Sequence, residues 1–144
     1  MIIAVDFDGT IVEHKYPKIG KPIPYAIDTL KQLQNEQHIL ILWTVREGDL
    51  LQEAIDYCSE NGLIFYSHNS NFPEEDSSKA SRKLTADMFI DDRNFGGLPG
   101  WDVIYRAIQQ KTAHQLSFTM SFQEGDGENS IKGSLLKKLF KKFN

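Results

Sequence analysis

Two aspartates stand two residues apart at the end of the chain's first apolar run, Ile2-Ile3-Ala4-Val5-Asp6-Phe7-Asp8-Gly9-Thr10. A short apolar run closed by Gly is the pattern of a buried strand in a parallel sheet. Side chains on a strand alternate faces, so Asp6 and Asp8 point one way and Phe7 the other. Two neighbouring carboxylates repel, and burial worsens the repulsion, so a positive group is expected between them. Gly9 permits a sharp turn that brings backbone amides near a ligand. A second acid pair, Asp91-Asp92, follows another apolar run, Met88-Phe89-Ile90.

Gathered at one place, Asp6, Asp8, Asp91 and Asp92 demand a cation. All-oxygen ligation by a few carboxylates suits Mg²⁺, which keeps several waters and pairs with substrate phosphate. No Cys/His cluster offers a zinc site. Lys83 adds a positive charge and Thr44 a hydroxyl donor, so the set describes a phosphoryl site. Aspartate is an effective nucleophile toward phosphorus. Asp6, at the strand end, is the candidate. Asp8, one same-face position on, is placed to protonate the leaving group and then activate water.

The elements needed to bring these residues together are legible. Apolar positions Ile23, Ala26, Ile27, Leu30 and Leu33 predict a helix over roughly 23–36, with Pro24 in its first turn. His38 to Trp43 reads as a second buried strand ending at Thr44. A helix over roughly 49–61 follows, with Leu51, Ala54, Ile55 and Cys58 inward and Asn61-Gly62 as its stop. Thr44-x-x-Glu47 also has capping-box form. Leu63 to Tyr66 reads as a third strand, residues 67–82 as a polar loop, Met88 to Ile90 as a fourth strand, and Trp101 to Lys111 as a helix. Strands alternating with helices imply βαβ units and a mostly parallel sheet. Ligands of such sheets bind beyond the carboxyl ends of the strands, where both acid pairs and Thr44 fall.

These residues resemble the haloacid dehalogenase (HAD) superfamily of phosphatases. Asp6-Phe7-Asp8-Gly9-Thr10 is similar to its first motif, Thr44 to the second, Lys83 to the third and Asp91-Asp92 to the fourth, in the same chain order. The resemblance covers about residues 1–111 and extends to small bacterial HAD-like proteins of unassigned function. It implies a Rossmann-like three-layer α/β/α fold and an aspartyl-phosphate mechanism on a phosphomonoester. By resemblance, Asp6 is the nucleophile and Asp8 the general acid/base. Asp6, Asp8 through its backbone carbonyl, and Asp91 or Asp92 hold Mg²⁺, while Thr44 and Lys83 hold the phosphoryl group. Gly9, Thr10 and Arg46 are added as substrate contacts, and Arg93 and His14 stand as further candidates. Neither gap between motifs holds the roughly 50 residues of a folded domain. The expectation is therefore a capless enzyme with residues 11–22 as a small flap.

With 144 residues, a net charge of −4 and a pI near 5.5, the chain reads as one domain and not as a general nucleic-acid binder. Lone Cys58 fits a reducing compartment and a packed thiol. No apolar run reaches the ~18 residues of a membrane span, and no secretory signal is visible, so a cytoplasmic protein is expected. Residues 112–133 read as a polar linker. Residues 134–144 read as a basic amphipathic helix, with Leu135, Leu136, Leu139, Phe140 and Phe143 on one face and Lys137, Lys138, Lys141 and Lys142 off it. Such a helix suits a peripheral membrane contact, a partner, a second copy of the chain, or its own domain, and at about eleven residues it is short enough to stand instead as a frayed tail. Three other readings stand beside the phosphatase: a phosphotransferase on the same site, a non-catalytic HAD-like binding module, and a signalling receiver domain. The last is disfavoured because the third strand ends in Tyr66-Ser67, with no acid to phosphorylate.

Overall fold

The computed structural model describes residues 1–76 and 78–124, and for 113–124 the helical backbone alone. The described chain falls into two units, Met1–Tyr105 and a second beginning at Arg106. The elements are β1 (Ile2–Val5), α1 (Ala26–Asn35), β2 (Ile39–Leu42), α2 (Gly48–Glu60), β3 (Ser67–His68), β4 (Met88–Ile90) and α3 (Trp101–Glu124).

Four strands form one parallel sheet in the order β3-β2-β1-β4. This is a small Rossmann-like α/β fold without a cap domain among the described residues. The register pairs Val5 with Leu42 on one side and with Ile90 on the other, so three strands end level with one another. The chain steps from β1 through β2 to β3 in one direction, then returns to place β4 on the far side of β1. The reversal between β1 and β4 opens a crevice at the strands' carboxyl ends.

Alternation decides what each sheet face carries. Ile3, Val5, Leu40 and Leu42 are buried on one face, and Phe7 continues it with its ring edge-on to Tyr57 of α2, 5.9 Å between centroids. On the other face Ala4 and Ile41 pack with Leu84, flanked by Trp43, Ala86 and Phe89. That face is thus covered by the chain leading into β4. Helix α1 buries Ala26, Leu30 and Leu33, the spacing expected of an amphipathic helix. Full burial of each of the two leucines contributes roughly 1.5–3 kcal/mol. Cys58 is buried on α2, where desolvation pushes its thiol up to about 12, in keeping with a packed role.

Several boundaries differ from expectation for local reasons. Pro24 precedes α1 instead of entering its first turn, because Tyr25 adopts a left-handed conformation (φ 66°) that starts the helix after it. The third strand is Ser67–His68, not Leu63 to Tyr66. Leu63 and Phe65 are pulled into the core while Ile64 and Tyr66 face solvent, and ladder pairing with β2 begins only at Ser67. The helix from Trp101 continues through Glu124 across residues read as linker. Residues 112–124 contain no Gly or Pro, and polarity by itself does not stop a helix; Gly125 is the first breaker. The rest of the linker and the basic amphipathic segment 134–144 lie outside the described residues. Among those described, no helix is long and apolar enough to cross a membrane.

Candidate active site

A cleft of about 180 Å³ opens at the carboxyl ends of β1, β2 and β4. Asp6 and Asp8 after β1, Thr44 after β2 and Asp91 after β4 line it, with Trp43 and Val45 as an apolar wall and His14 and Arg93 at its rim. Asp6 and Asp8 both face the cleft while Phe7, between them, is buried behind them.

The loop after β1 is closed on itself. The amides of Ile11 and Val12 donate to the Phe7 carbonyl, and that of Gly9 donates to Val12 O at 2.7 Å. Gly9 has φ +91°, and a Cβ there would lie 2.3 Å from Asp92 Oδ2. Glycine is therefore required both for this conformation and for the close approach of Asp92. Its amide is not bare, contrary to expectation, because the turn consumes it. Thr10 also departs from a substrate-contact role. Fully buried, its hydroxyl donates to Asp6 Oδ2 at 3.3 Å and accepts from the Asp92 amide at 3.1 Å, while its carbonyl takes the Trp101 indole N–H at 3.2 Å. Thr10 thus ties the two acid-bearing loops together.

Carboxylate oxygens of Asp6, Asp91 and Asp92 lie within 4.8 Å of one another. Asp92 Oδ1 is buried with no hydrogen-bond partner. A desolvated, unpartnered carboxylate oxygen beside two further acids has the donor chemistry of a hard divalent cation. Asp6 is pushed up to about 7, first by burial, against a hydrogen bond from the Phe7 backbone, and then by the charges of Asp91, Asp92 and Asp8. The folded protein therefore holds this proton between 3.8 and about 7 where the unfolded chain has lost it. Stability contributed by the protonated group falls as pH rises through that window. A divalent cation held there would replace the proton and oppose the fall. Mg²⁺ should consequently raise the melting temperature more at about pH 8 than at about pH 5. Equal increments at both would break the connection to Asp6.

The Asp8 side chain lies outside this triad. Arg46, at 0% exposure, holds it with a two-pronged pair, Nε to Oδ2 at 2.6 Å and Nη2 to Oδ1 at 2.8 Å. Two of the three remaining donors reach Pro17 O at 2.9 Å and Lys18 O at 3.1 Å in the flap. The guanidinium also lies between the rings of Phe7 and Tyr16, 5.1 and 5.4 Å from their centroids. The Asp8 hydrogen bonds raise the Arg46 pKa further, so its charge is fixed. Arg46 was expected to contact substrate; it does not line the cleft, because a buried cation takes every acceptor within reach. Sequence offered only its place two residues past Thr44. The fork that binds Asp8 and staples the flap depends on contacts 28 to 38 residues apart.

Thr44 is placed as expected, though not as a helix cap. Its amide donates to Asn69 Oδ1 at 2.8 Å and its hydroxyl oxygen accepts the Arg46 amide at 3.3 Å, leaving the hydroxyl proton for a ligand. The helix is capped at Glu47 with no side-chain hydrogen bond, so no capping box forms. Lys83 is not brought to the cleft. It is exposed, with Nζ 6.0 Å from the Phe89 ring centroid. Burial of the adjacent Leu84 against Ala4 and Ile41 fixes it there. His14 sits over the first motif, Nδ1 3.5 Å from the Asp8 carbonyl oxygen.

A solved structure from Bacteroides thetaiotaomicron, that of a conserved protein coded by its locus, shares 61% identity with this chain. The match covers 77% of this chain and 91% of that one, with a TM-score of 0.74. The chain belongs to the family of that conserved protein. No family model and no curated protein matches it. At this identity the family likeness fixes the α/β fold on which the cleft is built, and the chemistry must be argued from the cleft itself.

Trp43 and Val45 carry no motif of their own in the sequence. The signal available was position: Trp43 and Val45 flank Thr44 at the end of a strand whose carboxyl edge was already expected to bind ligand.

Proposed function

We propose that the protein is a Mg²⁺-dependent phosphohydrolase that acts on a phosphomonoester through an aspartyl-phosphate on Asp6. The observation that carries this reading is the position of Asp6: a cleft-lining carboxylate at the reversal of the sheet, clustered with Asp91 and Asp92, one of which has a buried oxygen without a partner. The resemblance to HAD phosphatases agrees with it.

Asp6, Asp91 and Asp92 would hold the ion. It would neutralise charge on the phosphoryl oxygens and keep Asp6 ionised. The Asp6 carboxylate attacks phosphorus as the ester P–O bond breaks, and the leaving oxygen takes a proton. Asp8 would enter the step protonated on a lone pair that Arg46 leaves free, supply that proton, and later recover one from the water that cleaves the acyl phosphate and regenerates Asp6. Arg46 occupies one lone pair on each Asp8 oxygen and fixes the carboxylate's plane, so the exchanging oxygen is presented in one orientation. The Thr44 hydroxyl donates to the phosphoryl group. Trp43 and Val45 offer an apolar wall on one side, and with no cap domain among the described residues the leaving group extends into solvent. An acceptor alcohol in place of water would make the same site a phosphotransferase. The grip of Arg46 on both Asp8 oxygens favours the second reading, a phosphate-binding module without turnover.

The test is phosphate release from para-nitrophenyl phosphate, sugar phosphates, nucleotides and phosphopeptides, with and without Mg²⁺. Release that requires the ion and stops on chelation is expected. Metal and phosphate binding with no release from any of these would move the protein to the binding-module reading.

A further inference from the structure

A phosphomonoester carries about two negative charges, more than a triad-bound ion offsets once three carboxylates share it. A second cation at the cleft would complete the balance, and Lys83 does not line it. Arg46 is spent on Asp8 and the flap. Among the described residues, the basic side chains that do line the cleft are His14 and Arg93. His14 is turned toward the Asp8 carbonyl.

The Arg93 guanidinium makes no ion pair or hydrogen bond among the described residues. Its backbone is nonetheless fixed. The Arg93 amide donates to Asp91 Oδ1 at 2.8 Å, and the Asn94 amide to the Asp91 carbonyl at 3.3 Å. An arginine fork thus begins one residue past the acid pair, rooted on a ligand-bearing turn with its donors unspent. We propose that Arg93 is the cation that binds the phosphoryl group, the role expected of Lys83. This assignment rests on the phosphohydrolase reading. A planar fork grips two non-bridging oxygens at once. A terminal phosphate offers those oxygens together with the second charge, whereas a phosphodiester offers only one charge. Arg93 therefore also selects monoesters.

Inorganic phosphate is the probe, titrated into the Mg²⁺-loaded protein by calorimetry alongside Mg²⁺ affinity and melting temperature. Arg93→Ala should weaken phosphate binding at least about tenfold, the size of a lost charge-assisted contact. Its Mg²⁺ affinity and melting temperature should remain those of the native protein, because the side chain is exposed and unpaired. Arg93→Lys should recover part of the loss. Native binding by Arg93→Ala, or a loss seen only in Lys83→Ala, overturns the assignment and leaves the phosphohydrolase reading standing. If the native protein binds Mg²⁺ but no phosphate, both fall together.

Discussion

Asp6→Asn is expected to reduce Mg²⁺-dependent phosphate release by about 10⁴-fold or more, the scale of losing a nucleophile whose partners remain in place. The amide keeps the carboxylate's shape but cannot form the acyl phosphate. It should not unfold the protein. Asp6 is pushed up to about 7 because its charge is unwelcome where it sits, among buried groups and beside Asp91, Asp92 and Asp8. Removing that charge relieves the metal-free fold at neutral pH. The variant's melting temperature without metal should therefore match or exceed that of the native protein above about pH 7. Its Mg²⁺ affinity should fall, since one of three clustered carboxylates is gone. Phosphate release at the native rate from a folded Asp6→Asn variant would end the assignment of Asp6 as nucleophile.

Arg46→Met should cost about 3–5 kcal/mol of stability, the penalty for leaving a buried charge without its partner. Asp8 is only 4% exposed and would be left with both oxygens unmatched, and the carbonyls of Pro17 and Lys18 would lose their donors. Arg46→Lys should recover little, because a single ammonium cannot reproduce a fork that serves two carboxylate oxygens and two carbonyls. Adding Asp8→Asn to Arg46→Met should restore part of the loss, since the stranded charge is then removed. A coupling of about 1 kcal/mol or more between the two sites in urea melts is the expected sign. If Arg46→Met loses less than about 1 kcal/mol, the buried pair does not carry the weight its geometry implies. Catalysis should suffer as well, because the same guanidinium orients Asp8 and holds the flap.

These two effects differ in how far the sequence anticipates them. Asp6 was legible because its reasons are local. An apolar run, a two-residue spacing and a glycine define a strand end and the face its acids share. Asp91 and Asp92 were legible on the same grounds, and strand-helix alternation was enough to place both pairs at one sheet edge. Arg46 was visible as a residue and misread in its role. Nothing at Thr44-Val45-Arg46 reveals that the side chain turns inward to a carboxylate in the loop after β1 and two carbonyls in the flap. Lys83 failed for a related reason: the register that buries Leu84 decides where its neighbour points, and that register depends on the packing of Ala4 and Ile41.

By itself, the sequence determined the parallel α/β fold, the strand that leads the site, the two acid pairs and the edge on which they meet. Periodicity and strand ends are properties of near neighbours, and burial of the apolar face leaves them little choice. Only the tertiary structure decided which acids gather and which is paired away. Asp6, Asp91 and Asp92 converge because the chain reverses between β1 and β4, whereas Asp8 is drawn aside by a buried arginine. It also decided that Arg93, and not Lys83, stands at the cleft. Those outcomes turn on competition among charged groups for partners inside a low-dielectric interior, and that competition begins only when distant segments come within a few ångströms of each other.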